Sequence, residues 1–169
     1  MAKNIEIKAR VRDNDRLLKT VVRLSDSPEE ILQQEDIFFN VPQGRLKLRI
    51  FSDSRGELIF YQRDDHPQPK ASNYFISKVS DPHSLHEVLS MALGVRGVVK
   101  KKRRLFLVDQ TRVHLDEVEG LGHFVELEVV LRENQPEEEG RRIAQDLMQQ
   151  LEINESDLLT GAYVDMMKK

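Results

Sequence analysis

Alternation of apolar and polar residues, the mark of a strand with two unlike faces, recurs along most of this 169-residue chain. Residues 4–11 put Ile5, Ile7, Ala9 and Val11 on one face and Asn4, Glu6, Lys8 and Arg10 on the other. Residues 29–41 read as extended, ending in Asp36-Ile37-Phe38-Phe39. A turn at Pro42-Gln43-Gly44 leads into the alternating Arg45-Leu46-Lys47-Leu48-Arg49-Ile50, and Asp53-Ser54-Arg55-Gly56 turns the chain into a strand over 58–63. Strands are also expected over 73–79, which carries Lys78, and over 98–108, which carries the basic run from Lys100 to Arg104. The pattern is clearest in a hairpin joined at Glu119-Gly120-Leu121-Gly122. One arm puts Arg112, His114 and Asp116 opposite Val113 and Leu115, and the other puts Glu126 and Glu128 opposite Val125, Leu127 and Val129. Three carboxylates on one surface repel unless water solvates them or a cation joins them.

A helical period takes over at three places. Asp13 can cap a helix with an apolar stripe of Leu17, Leu18, Val21 and Val22. Asp81-Pro82 opens a second helix, with Leu85, Val88, Leu89 and Ala92 as its buried stripe and Gly94 as its stop. Pro136 precedes a third, over 137–151, with Ile143, Leu147 and Leu151 in register, and Ser156 is expected to cap a last short piece. About eight strands in mostly sequential antiparallel order would curl, and closure into a barrel removes both edges. The expected fold is therefore α+β: one domain over residues 1–169, a closed eight-stranded antiparallel β-barrel, or tunnel, with helices packed outside. Each helix has a single apolar stripe and needs an apolar surface to lie on. If that surface is the outside of the barrel, the charged strand faces point into the lumen.

Composition narrows the chemistry. The 26 Lys and Arg against 29 Asp and Glu give a net charge of −3, which argues against general adhesion to nucleic acid. The absence of cysteine excludes disulfides, thiolate metal sites and a Cys nucleophile. No apolar run approaches a bilayer span and no signal-peptide pattern opens the chain, so a soluble, cytoplasmic protein with no membrane partner is expected. The histidines form no zinc signature, although His114 shares the face of Arg112 and Asp116. No P-loop or Ser-His-Asp pattern occurs, and Gly120-Leu121-Gly122 lies between strands, not before a helix.

The lumen of such a barrel would hold Lys8, Arg45, Lys47, Arg49, Arg63, Lys78, Lys101, Arg103 and Arg112, with Glu6, Asp116, Glu126 and Glu128. So much buried charge needs neutralising. A triphosphate complements the basic side chains, since guanidinium groups can grip phosphate oxygens in pairs. A divalent ion such as Mg²⁺, which bridges protein carboxylates and phosphate oxygens, complements the acidic ones. Of the basic run, Lys101 and Arg103 enter the lumen and the others stay solvated. The alternative, a nucleic-acid or localisation patch, would use all five.

At this point the motifs resemble a known family. Asn4-Ile5-Glu6-Ile7-Lys8 looks like the ExExK signature of the CYTH, or triphosphate tunnel metalloenzyme, superfamily, which includes class IV adenylyl cyclases, thiamine triphosphatases and inorganic triphosphatases. Gly44-Arg45-Leu46-Lys47-Leu48-Arg49, the Val99-x-Lys101-x-Arg103 spacing, Arg112-x-His114-x-Asp116 and Glu126-Leu127-Glu128 resemble its other motifs, in the family's order, over roughly residues 4–160. The resemblance implies a tunnel that binds a triphosphate together with Mg²⁺ or Mn²⁺. It implies metal positions at Glu6, Asp116, Glu126 and Glu128 and phosphate positions at Lys8, Arg45, Lys47, Arg49, Arg63, Lys78, Lys101, Arg103 and Arg112. Glu6, Lys8, Glu126 and Glu128 carry the catalytic expectation. One departure stands out: the first Glu of the signature is Asn4, whose amide can accept or coordinate but brings no charge.

The leading functional expectation is a class IV adenylyl cyclase-like enzyme that converts ATP to cyclic AMP and pyrophosphate, working as a monomer or homodimer. The alternatives are a triphosphatase acting on inorganic, thiamine or nucleoside triphosphate, and a non-catalytic binder of polyphosphate or nucleotide in which Asn4 marks a weakened metal site. No aromatic box for a base is visible, since aromatics are 6% of the chain and there is no Trp.

Overall fold

The computed structural model describes residues 2–167. The elements follow in the order β1 (Ala2–Arg10), α1 (Asn14–Leu24), β2 (Glu30–Phe39), β3 (Arg45–Phe51), β4 (Gly56–Arg63), β5 (Lys70–Val79), α2 (Pro82–Leu93), β6 (Val95–Val108), β7 (Thr111–Val118), β8 (Gly122–Val130), α3 (Glu137–Gln150) and α4 (Tyr163–Met166). All eight strands close into one barrel in the order β1-β5-β4-β3-β2-β6-β7-β8. Every pair is antiparallel, and β1 closes the ring by pairing with both β5 and β8.

Apolar strand faces turn outward, as expected. Ile7, Ala9, Val113, Leu115, Val125 and Leu127 pack under Leu17 and Val21 of α1 and under Leu147 and Met148 of α3. Ile37, Phe39, Leu48 and Ile50 form a second patch beneath α2. Asp13 caps α1 by accepting from the Arg16 N–H, and Asp81 caps α2 by accepting from the Ser84 N–H. Gly94 ends α2 with φ 81°, a conformation that glycine adopts without steric cost.

Three expectations about the helices fail. In α2 only Pro82 is buried. Leu85 and Leu89 pack partly on the barrel, while Val88 (59% exposed), Met91 (90%) and Ala92 face outward. The helix meets the curved wall along one edge, so a four-residue stripe is wider than its contact. In α1, Val22 is likewise exposed. Ser156 caps no helix; it lies inside a single 3-10 turn over Glu155–Asp157.

Beyond that turn, the chain returns to the barrel. Leu158 bridges to Ala9, and the Leu159 N–H donates to the Lys8 carbonyl. Ala162, Tyr163 and Val164 then enter one end of the lumen and pack on Phe38, Tyr61, Val99, Val118 and Phe124. Gly97 makes room for this plug: a Cβ there would lie 2.6 Å from a Val164 methyl carbon. The plug is anchored by the Tyr163 hydroxyl, which donates to buried Asp116 at 2.8 Å. Tyr163→Phe leaves part of that carboxylate unsatisfied and is expected to cost about 1–3 kcal/mol in a denaturant titration.

Candidate functional site

Lumen-facing side chains come from alternate positions of each strand, so register decides which charges meet. Glu6 faces Glu128 across the β1–β8 pair and Lys8 faces Glu126. Across β7–β8, Arg112 faces Glu128 and His114 faces Glu126. On the opposite wall Asp36 faces Arg49, and Gln34 faces both Phe51 and Lys101. These groups surround a cavity of about 240 Å³ closed at one end by Ala162 and Tyr163. Of the sequence-derived site residues, Glu6, Lys8, Lys47, Arg49, Arg63, Lys101, Arg103, Arg112, Glu126 and Glu128 line it.

Three residues stand elsewhere. Lys78 is exposed on β5 and does not line the cavity, because its strand runs on past the mouth. Arg45 is turned to the outside of the plug, where both terminal nitrogens reach Asp165, which Arg96 also engages. Asp116 is buried behind the lining, holding Arg103 through two bonds of 2.8 Å and accepting from Tyr163. Its oxygens are spent on positioning Arg103.

The basic wall has a centre that sequence reasoning overlooked. Asp36 (1% exposed) accepts two hydrogen bonds from Arg49 (2.8 and 2.9 Å) and one from Lys101 (3.2 Å), with Lys47 at 3.6 Å. Burial pushes its carboxyl up, yet the three cations outweigh this and hold it well below the usual carboxylate range. The cations carry the complementary strain. Lys47 is lowered to about 7, first by burial and then by neighbouring Arg49, and Lys8 to about 8, again mainly by burial. The signal was available: Asp36 shares the parity of Gln34 on β2, and alternation alone places both on the charged side.

The acidic wall gathers a candidate set of metal ligands. Among the described residues, His114, Glu126 and Glu128 each present one ligand atom, all within 4.8 Å of one another. Glu126 stays ionised despite burial because Lys8 and Arg103 attract its charge. Glu6 behaves differently: burial, then the nearby charge of Glu128, raise it to about 7. Asn4 supports it, donating to Glu6 at 3.3 Å while its own amide oxygen accepts from the Tyr74 hydroxyl. The amide that replaces the motif's first Glu is thus engaged in holding Glu6, not left open as a ligand.

The residues fit a divalent cation on structural grounds. The buried His114 Nδ1 has no hydrogen-bond partner, and Glu126 and Glu128 converge on the same space. Two carboxylates and an imidazole make a donor set for a cation of the Mg²⁺ and Mn²⁺ class, the imidazole leaning toward the transition metal. They fit an anion as well: Nε and Nη2 of Arg63 are buried without partners although Nη1 reaches Glu6 at 3.4 Å. Buried guanidinium N–H groups without acceptors are costly and await a ligand.

A closed antiparallel barrel with charge inside, apolar residues outside and one stoppered end defines a protein of the tunnel class. The chain belongs to the CYTH domain family, whose model matches residues 2–163. It is 21% identical over 170 residues to a Methanocaldococcus jannaschii protein named "Putative adenylate cyclase MJ0240", covering 96% of this chain and 97% of that one. Its fold matches the PH1012 protein of Pyrococcus horikoshii with a TM-score of 0.86 at 25% identity, covering 98% and 99% of the two chains. It also matches the Hippeastrum candidate adenylyl cyclase HpAC1, which shows a dominant triphosphatase activity, with a TM-score of 0.65 at 14% identity over 96% and 91%. Among the described residues, no helix is long and apolar enough to cross a membrane.

Proposed function

We propose that this protein is a metal-dependent enzyme that cleaves a triphosphate held in the tunnel. The observation that carries this reading is one cavity with unpartnered Arg63 nitrogens and three cations around Asp36 on one side, and the His114, Glu126 and Glu128 cluster on the other. Lys47, Arg49, Lys101 and Arg103 cradle the phosphate chain and offset charge that develops on the leaving group. Arg63 and Arg112 brace it from the β1–β8 side. Lys8, between Glu126 and the Tyr163 ring (3.9 Å to its centroid), neutralises the innermost phosphate. Glu126, Glu128 and His114 hold the divalent cation with Glu6 beside them, and such a cation, when bound, polarises the reacting phosphate and acidifies bound water.

The nucleophile separates the two outcomes. Attack by the ribose 3′-hydroxyl of ATP on the α-phosphate gives cyclic AMP and pyrophosphate, the cyclase reading favoured by the motifs and the Methanocaldococcus relative. Attack by water on the terminal phosphate gives orthophosphate, the reading favoured by the activity of the Hippeastrum protein. Incubation with Mg²⁺ or Mn²⁺ and ATP, inorganic triphosphate or thiamine triphosphate, followed by separation of products, decides between them. Tight binding without turnover would instead support a non-catalytic binder.

Binding without metal is expected to depend on pH. Lys47 titrates near 7 and Lys8 near 8 in the free protein, and a bound polyanion raises both. Binding therefore takes up protons between the free and bound values, and triphosphate affinity falls as pH rises from about 7 to 9, by up to about tenfold per unit for each proton taken up. Calorimetric titration in buffers of different ionisation enthalpy measures both the affinity and the proton uptake. A flat profile would contradict the cationic cradle.

A further inference from the structure

The floor of the cavity comes from the C-terminal return, through Ala162 and Tyr163, and Tyr163 is 4% exposed. Its ring centroid lies 5.0 Å from that of Phe124 at an interplanar angle of 57°, a tilted pairing that fixes the plane of the ring. Two ammonium groups meet this ring, Lys8 Nζ at 3.9 Å from the centroid and Lys101 Nζ at 5.2 Å. At the ring's edge the hydroxyl donates to Asp116 at 2.8 Å, and Asp116 accepts from Nε and Nη2 of Arg103 at 2.8 Å each. Basic groups of β1 and β6 thus converge on one side chain that belongs to neither strand.

An aromatic face attracts a cation without cancelling its charge. A carboxylate in the same place would compete with phosphate, as Asp36 does for Lys101 at 3.2 Å. The carboxylate nearest Lys8 is Glu126 at 3.7 Å, which is also part of the cluster with His114 and Glu128. When Glu126 serves that cluster, Lys8 keeps the ring and the Gly161 carbonyl, which accepts from its Nζ at 3.2 Å. Both of these anchors come from the C-terminal return. The phenol suits the task, since burial and then the nearby charges of Glu126 and Asp116 push its pKa well above the ordinary value and keep the hydroxyl a donor. The groups that fasten the return are therefore the groups a bound phosphate would meet, and two events that share contacts strengthen each other reciprocally.

We propose that Tyr163 is a positioning residue for the inner end of the bound phosphate chain. Its ring carries Lys8 and Lys101, its hydroxyl sets Arg103 through Asp116, and phosphate bound to these groups in turn clamps the C-terminal return. This rests on the triphosphate reading of the lumen. The ring supplies most of the effect on affinity, because it holds two charges directly, whereas the hydroxyl acts on Arg103 through a carboxylate that already grips it twice.

Calorimetric titration of inorganic triphosphate without divalent metal, on wild-type protein, Tyr163→Phe and Tyr163→Leu, tests this role. Tyr163→Leu removes ring and hydroxyl together and is expected to weaken binding at least about tenfold. Tyr163→Phe keeps the ring at both lysines, loses the bond to Asp116, and is expected to stay within about threefold of wild type. A purely structural Tyr163 would lose stability in both variants without this contrast in affinity. Amide hydrogen exchange reads the reciprocal effect. Saturating triphosphate is expected to slow the wild-type Leu159 and Ala162 amides, which donate to the Lys8 carbonyl and to Asp165, about tenfold more than the amides of α2. Should Tyr163→Leu fail to fold by circular dichroism, Tyr163→Phe and the wild-type exchange decide. Wild-type affinity in Tyr163→Leu, equal weakening in both variants, or protection no greater than that of α2 would overturn the role and leave the lumen reading standing. Failure of triphosphate to bind the wild-type protein would overturn both.

Discussion

Glu126→Gln is expected to lower metal-supported turnover by at least about 100-fold while leaving metal-free triphosphate binding unchanged or tighter. The two readouts diverge because Glu126 faces both partners. It presents a ligand atom to the cluster with His114 and Glu128, and it also lies 3.7 Å from Lys8 and 3.6 Å from Arg103. Replacing the carboxylate with an amide deprives the cation of charge but frees two basic groups to meet phosphate. A merely structural Glu126 would lose binding and turnover together. Circular dichroism and calorimetric binding on the same preparation separate these cases, and full activity in the variant would sink the metal assignment.

Asp36→Asn is expected to be the most destabilising single charge change in the lumen, costing about 3–5 kcal/mol, the usual loss when one partner of a buried ion pair is removed. Arg49, Lys47 and Lys101 all lean on this one carboxylate. Lys47 and Lys101 already sit below the normal lysine range and would shed their protons more readily in the variant. The Lys47 part of its stability deficit should therefore shrink as pH rises toward about 7, the wild-type Lys47 value, and level off above it, where Lys47 is neutral in both folded proteins. Saturating inorganic triphosphate replaces the missing charge and is expected to restore part of the stability, since a ligand that binds only the folded state stabilises it. Urea titrations with and without the anion, at two pH values, measure all three effects. A deficit that triphosphate leaves untouched would show that Asp36 serves packing alone.

What was legible in the sequence is what short-range periodicity records. Alternation along residues 4–11 and 45–50 gave the strands, and single apolar stripes on the helices forced the inversion that places Glu6, Lys8 and Arg49 inside. Register was not legible, and it decides partners. Asp36 sat in plain view in an extended segment, but its role depends on Arg49 and Lys101 arriving from two other strands. The C-terminal return was invisible for a related reason. Nothing in Gly161-Ala162-Tyr163-Val164 has a period, yet Gly97 was left without a side chain to admit it and Asp116 bonds to its hydroxyl. That return also explains Arg45, which keeps the strand parity of Lys47 and Arg49 but lies level with the plug and pairs with Asp165. The failed stripe of α2 has another origin, since amphipathicity gives a helix an apolar face without saying how much of it a curved wall can cover.

Asn4 shows how a departure from a motif can be absorbed. Its amide accepts from Tyr74 and donates to Glu6, whose pKa near 7 leaves it partly protonated at neutral pH. In the free protein β1 thus presents less fixed negative charge than a two-carboxylate motif would, which eases the approach of a polyanion to the same wall. In the proposed function the acidic hairpin of β7 and β8 carries the metal-binding role, while Asp116 is bonded to Arg103.

The most direct measurement is a crystal structure with Mn²⁺ and a non-hydrolysable triphosphate analogue, with anomalous scattering locating the metal. The account predicts an anomalous peak within ligand distance of Glu126, Glu128 and His114, and phosphate density between Arg49, Lys101, Arg103 and the free nitrogens of Arg63. A metal peak away from this hairpin, or a triphosphate bound outside the barrel, would contradict it.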